Sequence, residues 1–139
     1  MTIIEGTNRI GAGLGGGVKT AVAEYDFATD GGAVGTINLR GDRLPAGAVI
    51  VDSLINVKTK PESAGEATVQ VGSEGEADLQ AAKKVTEAPW STATPKRGAV
   101  TATSTPVVTT AERSITAKVA TAALMKGKFT VVVSYLEFA

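Results

Sequence analysis

KFTVVVSYLEF, residues 128–138, is apolar on both sides of an extended chain. Phe129, Val131, Val133 and Tyr135, with Glu137 at its end, share one side, while Val132 and Leu136 share the other. The two-residue period is that of a β-strand. Apolar side chains on both faces place such a strand in the middle of a sheet or against a neighbouring chain.

The same period recurs upstream. In AVAEYDFA, Ala21, Ala23, Tyr25 and Phe27 lie opposite Val22, Glu24 and Asp26; in VGTINLRG, Gly35, Ile37 and Leu39 lie opposite Val34, Thr36 and Asn38. The turn residues Thr29 to Gly32 (TDGG) join these two segments as a hairpin. A long strand is predicted from about Ala48 to Lys58, with Val49, Val51, Ser53, Ile55 and Val57 as the core-facing set. EATVQVG adds a short strand centred on Val69 and Val71, and GAVTATS and RSITAKVAT add two more before the last. EADLQAAKKV is the one segment suited to a helical turn or two, and Thr86 to Gly98 is predicted to be a long loop. No segment offers the amphipathic helix that a βαβ unit requires, and no internal repeat is present.

About eight short strands with turn signals every ten residues or so predict an all-β protein, built as a single β-sandwich or jelly-roll domain. Residues 18–139 are expected to form that domain, and residues 1–17 an extended glycine-rich N-terminal arm. A chain of 139 residues is long enough to bury a core; hydrophobic residues make up 43% of it but aromatics only 4%, so the core must be mostly aliphatic.

The composition narrows the chemistry. The chain has no cysteine and no histidine, which removes disulfides, thiol nucleophiles, Cys/His metal sites and the usual general base near neutral pH. No catalytic, cofactor-binding or metal-ligating residues are assigned, no cofactor is expected, and the chain is expected not to be an enzyme. Fourteen basic residues balance fourteen acidic ones, so no overall field favours nucleic acid or an anionic membrane. No apolar run is long enough to span a bilayer, and MTIIEGTNRIG lacks a secretory pattern, so synthesis in the cytoplasm is expected.

Four features invite a functional reading. GAGLGGGVKT, residues 11–20, approaches a phosphate-binding loop, but Val18 stands where a glycine must precede Lys19 and Thr20. Gly11, Gly13 and Gly16 have dinucleotide-fold spacing, yet the following VKTAVAEYDFA alternates as a strand instead of opening a helix. The glycines are read as a spacer. Arg40-Gly41-Asp42 is read as a solvated turn and not as an adhesion motif. Asp26, Asp30, Asp42 and Asp52 match no calcium loop, and the paired bases Lys83-Lys84 and Lys96-Arg97 lack interleaved aromatics. Trp90, the single tryptophan, is either an exposed ligand platform or interface anchor, or the cap on a core edge.

LPAGAVIVDSLINVKTKPESAGEATVQVGSEGEADLQAA, residues 44–82, joins a Pro/Gly turn, a long apolar strand, a Gly/Ser loop, a TVQV strand and a DLQAA segment. ITAKVATAALMKGKFTVVVSYLEF, residues 115–138, closes the chain. This order of turns and strands, over about half the chain, resembles small structural proteins of tailed bacteriophages that decorate the capsid or occur as minor virion components. The resemblance implies a β-sandwich or jelly roll, a homo-oligomer (a trimer), and attachment to the major capsid protein on the outer surface of the virion, which it reinforces. It brings no catalytic or cofactor residues, and the glycine-rich arm suits a clamp on capsid subunits. Two alternatives stand beside it: a head-fibre or minor tail component, and a β-sandwich module binding carbohydrate or a receptor. The latter calls for clustered exposed aromatics, and one Trp, two Tyr and three Phe supply few.

Overall fold

The computed structural model describes residues 17–98 and 105–138. Among them run β1 (Lys19–Asp26), α1 (Phe27–Asp30), β2 (Gly35–Leu44), β3 (Ala48–Ser63), β4 (Thr68–Gly72), β5 (Gln80–Lys84), β6 (Pro95–Arg97), β7 (Arg113–Ala120) and β8 (Leu124–Glu137). The strands form one antiparallel sheet in the order β5-β4-β7-β2-β1-β8-β3-β6. The fold is all-β, as the alternation predicts.

β8 is a central strand. It pairs with β1 from Lys19↔Tyr135 to Asp26↔Lys128, and with β3 from Ala48↔Glu137 to Ser63↔Leu124. Its even-sided and odd-sided apolar residues are therefore used on different faces. Phe129, Val131, Val133 and Tyr135 are buried, while Val132 and Leu136 are half-buried on the outside.

The sheet curls so that its two halves close over one core. Ala21, Ala23, Tyr25, Ile55, Val57, Phe129, Val131 and Val133 come from one half; Val69, Val71, Ile115, Ala117 and Val119 come from the other. Near the sheet ends the Ser53 hydroxyl on β3 donates to the Leu79 carbonyl before β5 at 3.3 Å, which ties the halves together. Three aromatics anchor the aliphatic core. Phe129 lies between Tyr25 (5.1 Å between ring centres) and Trp90 (4.8 Å), and burial of each such ring contributes about 1.5–3 kcal/mol.

Four local expectations are corrected. In β3 the core-facing set is Ala48 and Ile50, then Ser53, Ile55 and Val57; Val49 is half-buried and Val51 is 50% exposed. A register shift against β8 between Ile50 and Asp52 inserts one residue and reverses the phase of the alternation. EADLQAAKKV forms no helix. Gln80–Lys84 pairs with β4, and the Asp78 carboxylate accepts the N–H groups of Ser73 and Gly75, both at 2.7 Å, which shapes the loop before β5. The β1–β2 connection holds the one helical turn among the described residues, with the Asp26 carboxylate accepting the Ala28 N–H at its start and Gly31 at φ +72° ending it. Phe27 thus belongs to this turn and not to β1. The predicted loop from Thr86 to Gly98 contains the short strand β6, and GAVTATS beyond Gly98 lies outside the described residues.

Candidate interaction surface

The residues singled out from sequence disperse over the fold. Lys19 starts β1 and its ammonium donates to Glu137 at 2.8 Å, which holds the lysine above its ordinary pKa. The glycines at 11, 13 and 16 lie outside the described residues. Arg40, Gly41 and Asp42 form no turn; they lie within β2. Arg40 donates to Asp30 at 2.9 and 3.2 Å, and Asp42 accepts the Val22 N–H at 3.0 Å. Gly41 has φ +131° and lies so close to the Val22 carbonyl that a Cβ there has no room, so the glycine is dictated by backbone approach.

The four aspartates have separate duties. Asp26 starts α1, Asp30 pairs with Arg40, Asp42 secures β1, and Asp52 pairs with Arg97. Burial pushes the Asp30 carboxyl up, but Arg40 and the Asp26 N–H outweigh it and hold the group below its ordinary value. Among the described residues no three His, Cys, Asp or Glu side chains gather as metal ligands. Trp90 is fully buried, with its indole N–H donating to the Val69 carbonyl at 3.2 Å. It is core and not a platform.

Two polar clusters stiffen the molecule. Glu74 accepts from the Thr110 N–H at 3.1 Å, the Thr110 hydroxyl at 2.7 Å and the Arg113 guanidinium at 2.8 Å. Arg113, then Thr110, pull its carboxyl down to about 2. Tyr25 donates to the Gly31 carbonyl at 2.6 Å, and burial, followed by Asp30 and Asp26, pushes its phenol up to about 12. Of the clefts along the described surface, an open one of about 420 Å³ is lined by Lys60, Pro61, Glu62, Ser63 and Val85 among others. Its lining brings no base to a nucleophile.

What is unusual is the outer face of β1, β8 and β3. Residues directly opposite on neighbouring strands point to the same side. Val22 is opposite Val132, which is opposite Leu54. Two steps along, Leu136 is opposite Val49, which is bridged in turn to Val108. Val18 before β1, Phe138 after β8 and the bulged Val51 extend this patch by their exposure and alternation. Six of the eight exposed large hydrophobics among the described residues therefore collect on one side, whereas isolated ones scattered over a surface are ordinary. Between the two rows lie Thr20, Ser134 and Asp52. The sequence marked Val132 and Leu136 as surplus to one core; register was needed to join them to Val22 and Leu54.

No family model and no curated protein sequence matches the chain. Solved structures do. A chain of the cyanophage Pam1 capsid asymmetric unit is similar with a TM-score of 0.64 and 19% identity, covering 98% of this chain and 94% of that one. A chain of the acidic stable capsid structure of Helicobacter pylori bacteriophage KHP30 gives 0.58 and 21%, covering 86% of each. A chain of the capsid of Ralstonia phage GP4 gives 0.51 and 18%, covering 87% of this chain and 86% of that one. At these identities the likeness is one of fold. It extends over nearly the whole chain and matches the fold implied by the sequence resemblance to phage virion proteins.

Proposed function

We propose that this chain is a non-enzymatic structural protein of a bacteriophage virion, binding the outer capsid surface as a homo-oligomer, a trimer, and reinforcing the shell. The observation that carries this is the nearly full-length likeness of fold to chains of three phage capsid structures. The physical character of the molecule supports it. Many of its charged groups are paired within the chain, and the outer face of β1, β8 and β3 exposes two aliphatic rows, which suits adhesion between proteins better than turnover of a small substrate.

Residues 18–139 act in this proposal as the folded domain and residues 1–17 as an arm that adds contacts to the major capsid protein. An oligomer holding several arms gains attachment through effective concentration, because each bound arm keeps the others near their sites. The carbohydrate or receptor module loses ground, since Trp90, Tyr25 and Phe129 are all committed to the core.

The test is binding to purified capsid shells of the parent phage. The full-length protein is expected to cosediment at saturable occupancy, and deletion of residues 2–17 is expected to leave the domain folded but lower that occupancy. Failure of the full-length protein to bind would overturn capsid attachment. Undiminished binding of the deletion would remove the arm's role alone.

A further inference from the structure

We infer that the outer face of β1–β8–β3 is where a second copy of this chain docks, with the Val22–Val132–Leu54 row at its centre. The inference rests on the proposed homo-oligomer and assigns its contact surface.

Three observations converge. First, the aliphatic residues form two rows, each running across three strands and separated by Thr20, Ser134 and Asp52, and they are concentrated on this side of the sheet. Three to four strands at about 4.8 Å spacing, over the stretch from Val132 to Phe138 at about 3.3 Å per residue, give a face on the order of 400 Å². That is about half of the roughly 800 Å² per partner of a standard protein interface, leaving the rest to a polar rim.

Second, the charges are suited to self-association. The carboxylate within the patch, Asp52, is paired with Arg97, and Glu24 at its border is paired with Arg40 at 3.4 Å. A surface that packs against other copies of its own chain must not present unmatched charge to them, and pairing within each copy meets that condition. Third, the open side of β3 along this face is already occupied by its own chain. The Ile50 N–H donates to the Val107 carbonyl at 2.9 Å, the Thr109 N–H to Ala48 at 3.0 Å, and β6 pairs with Leu54 to Asn56. Copies are thereby steered to meet through side chains on the face, where packing is specific, and away from strand addition at the edge.

The experiment is multi-angle light scattering of the full chain at about 100 μM during size-exclusion chromatography, with far-UV circular dichroism. The unaltered protein is expected at a multiple of the protomer mass. The double variant Val22→Lys, Leu54→Lys is expected at one protomer mass with an unchanged strand spectrum. Both positions are exposed in the single chain, so lysine there is compatible with folding; if the double variant loses its strand signal, each single substitution is read in its place. Deletion of residues 2–17 is expected to keep the parent mass. A monomeric full chain, a double variant still at the parent mass, or a deletion that becomes monomeric would each overturn the assignment. An oligomer dissolved by the lysines that never binds capsid shells upholds this surface while refuting the virion role.

Discussion

Replacing Trp90 tests the core directly. The side chain is fully buried, rests on Phe129 at 4.8 Å and donates its indole N–H to Val69 on β4, so it ties both halves of the curled sheet together. Trp90→Ala removes that contact area and leaves a cavity, a change that costs about 3–5 kcal/mol in well-packed cores. Trp90→Phe keeps a ring against Phe129 but loses the hydrogen bond and part of the volume, for about 1–2 kcal/mol. Against a typical stability of about 5–15 kcal/mol, the alanine variant loses a large fraction. Urea unfolding followed by circular dichroism at fixed protomer concentration measures both, and a midpoint drop of roughly 2 M for Trp90→Ala is expected with an unchanged slope. A loss below about 1 kcal/mol for Trp90→Ala would refute the reasoning and return the tryptophan to the surface as a ligand platform.

Two further changes are diagnostic. Gly41→Ala must force a Cβ against the Val22 carbonyl at φ +131°, and a destabilisation of about 2 kcal/mol or more is expected in the same assay; a neutral variant would show that β1 and β2 do not approach there. Glu74, held at about 2 in place of its ordinary 4.5, contributes stability that is fully present above about pH 4.5 and lost as the pH falls through about 2. The stability gap between the parent and Glu74→Gln is therefore expected to close between those limits, and a gap independent of pH across them would contradict the Arg113 and Thr110 pairing.

How far the sequence reaches depends on whether a residue's position is set by its neighbours in the chain or across the sheet. The central place of β8 is legible because Val132 and Leu136 make it apolar on both sides, a property internal to the strand. The phase of β3 is not, because the extra residue between Ile50 and Asp52 is accommodated only against β8. Alanines and lysines in Gln80–Lys84 carry no strand preference of their own, and β4 imposes it by pairing. Arg40-Gly41-Asp42 reads as a turn by composition, yet its glycine answers to a carbonyl some twenty residues earlier. The aliphatic patch has the same origin: Val22, Leu54 and Val132 are far apart in the chain, and only register brings them into one row.

The position of β8 also bears on the order of events during synthesis. It is the last of the described strands to leave the ribosome, yet it belongs between β1 and β3, and its pairing Lys19↔Tyr135 closes a loop spanning almost the whole of the described chain. Until it arrives, β1 and β3 have no common neighbour and the Val22–Val132–Leu54 row lacks its middle member. The nascent chain therefore cannot display the completed patch, and neighbouring ribosomes on one message do not present it to each other. Closure of so long a loop is slow compared with local contacts, so the outer aliphatic face is created in the same late step that seals the core. Self-association through this face, as proposed above, would in this way be timed to follow folding, with no separate device required to delay it.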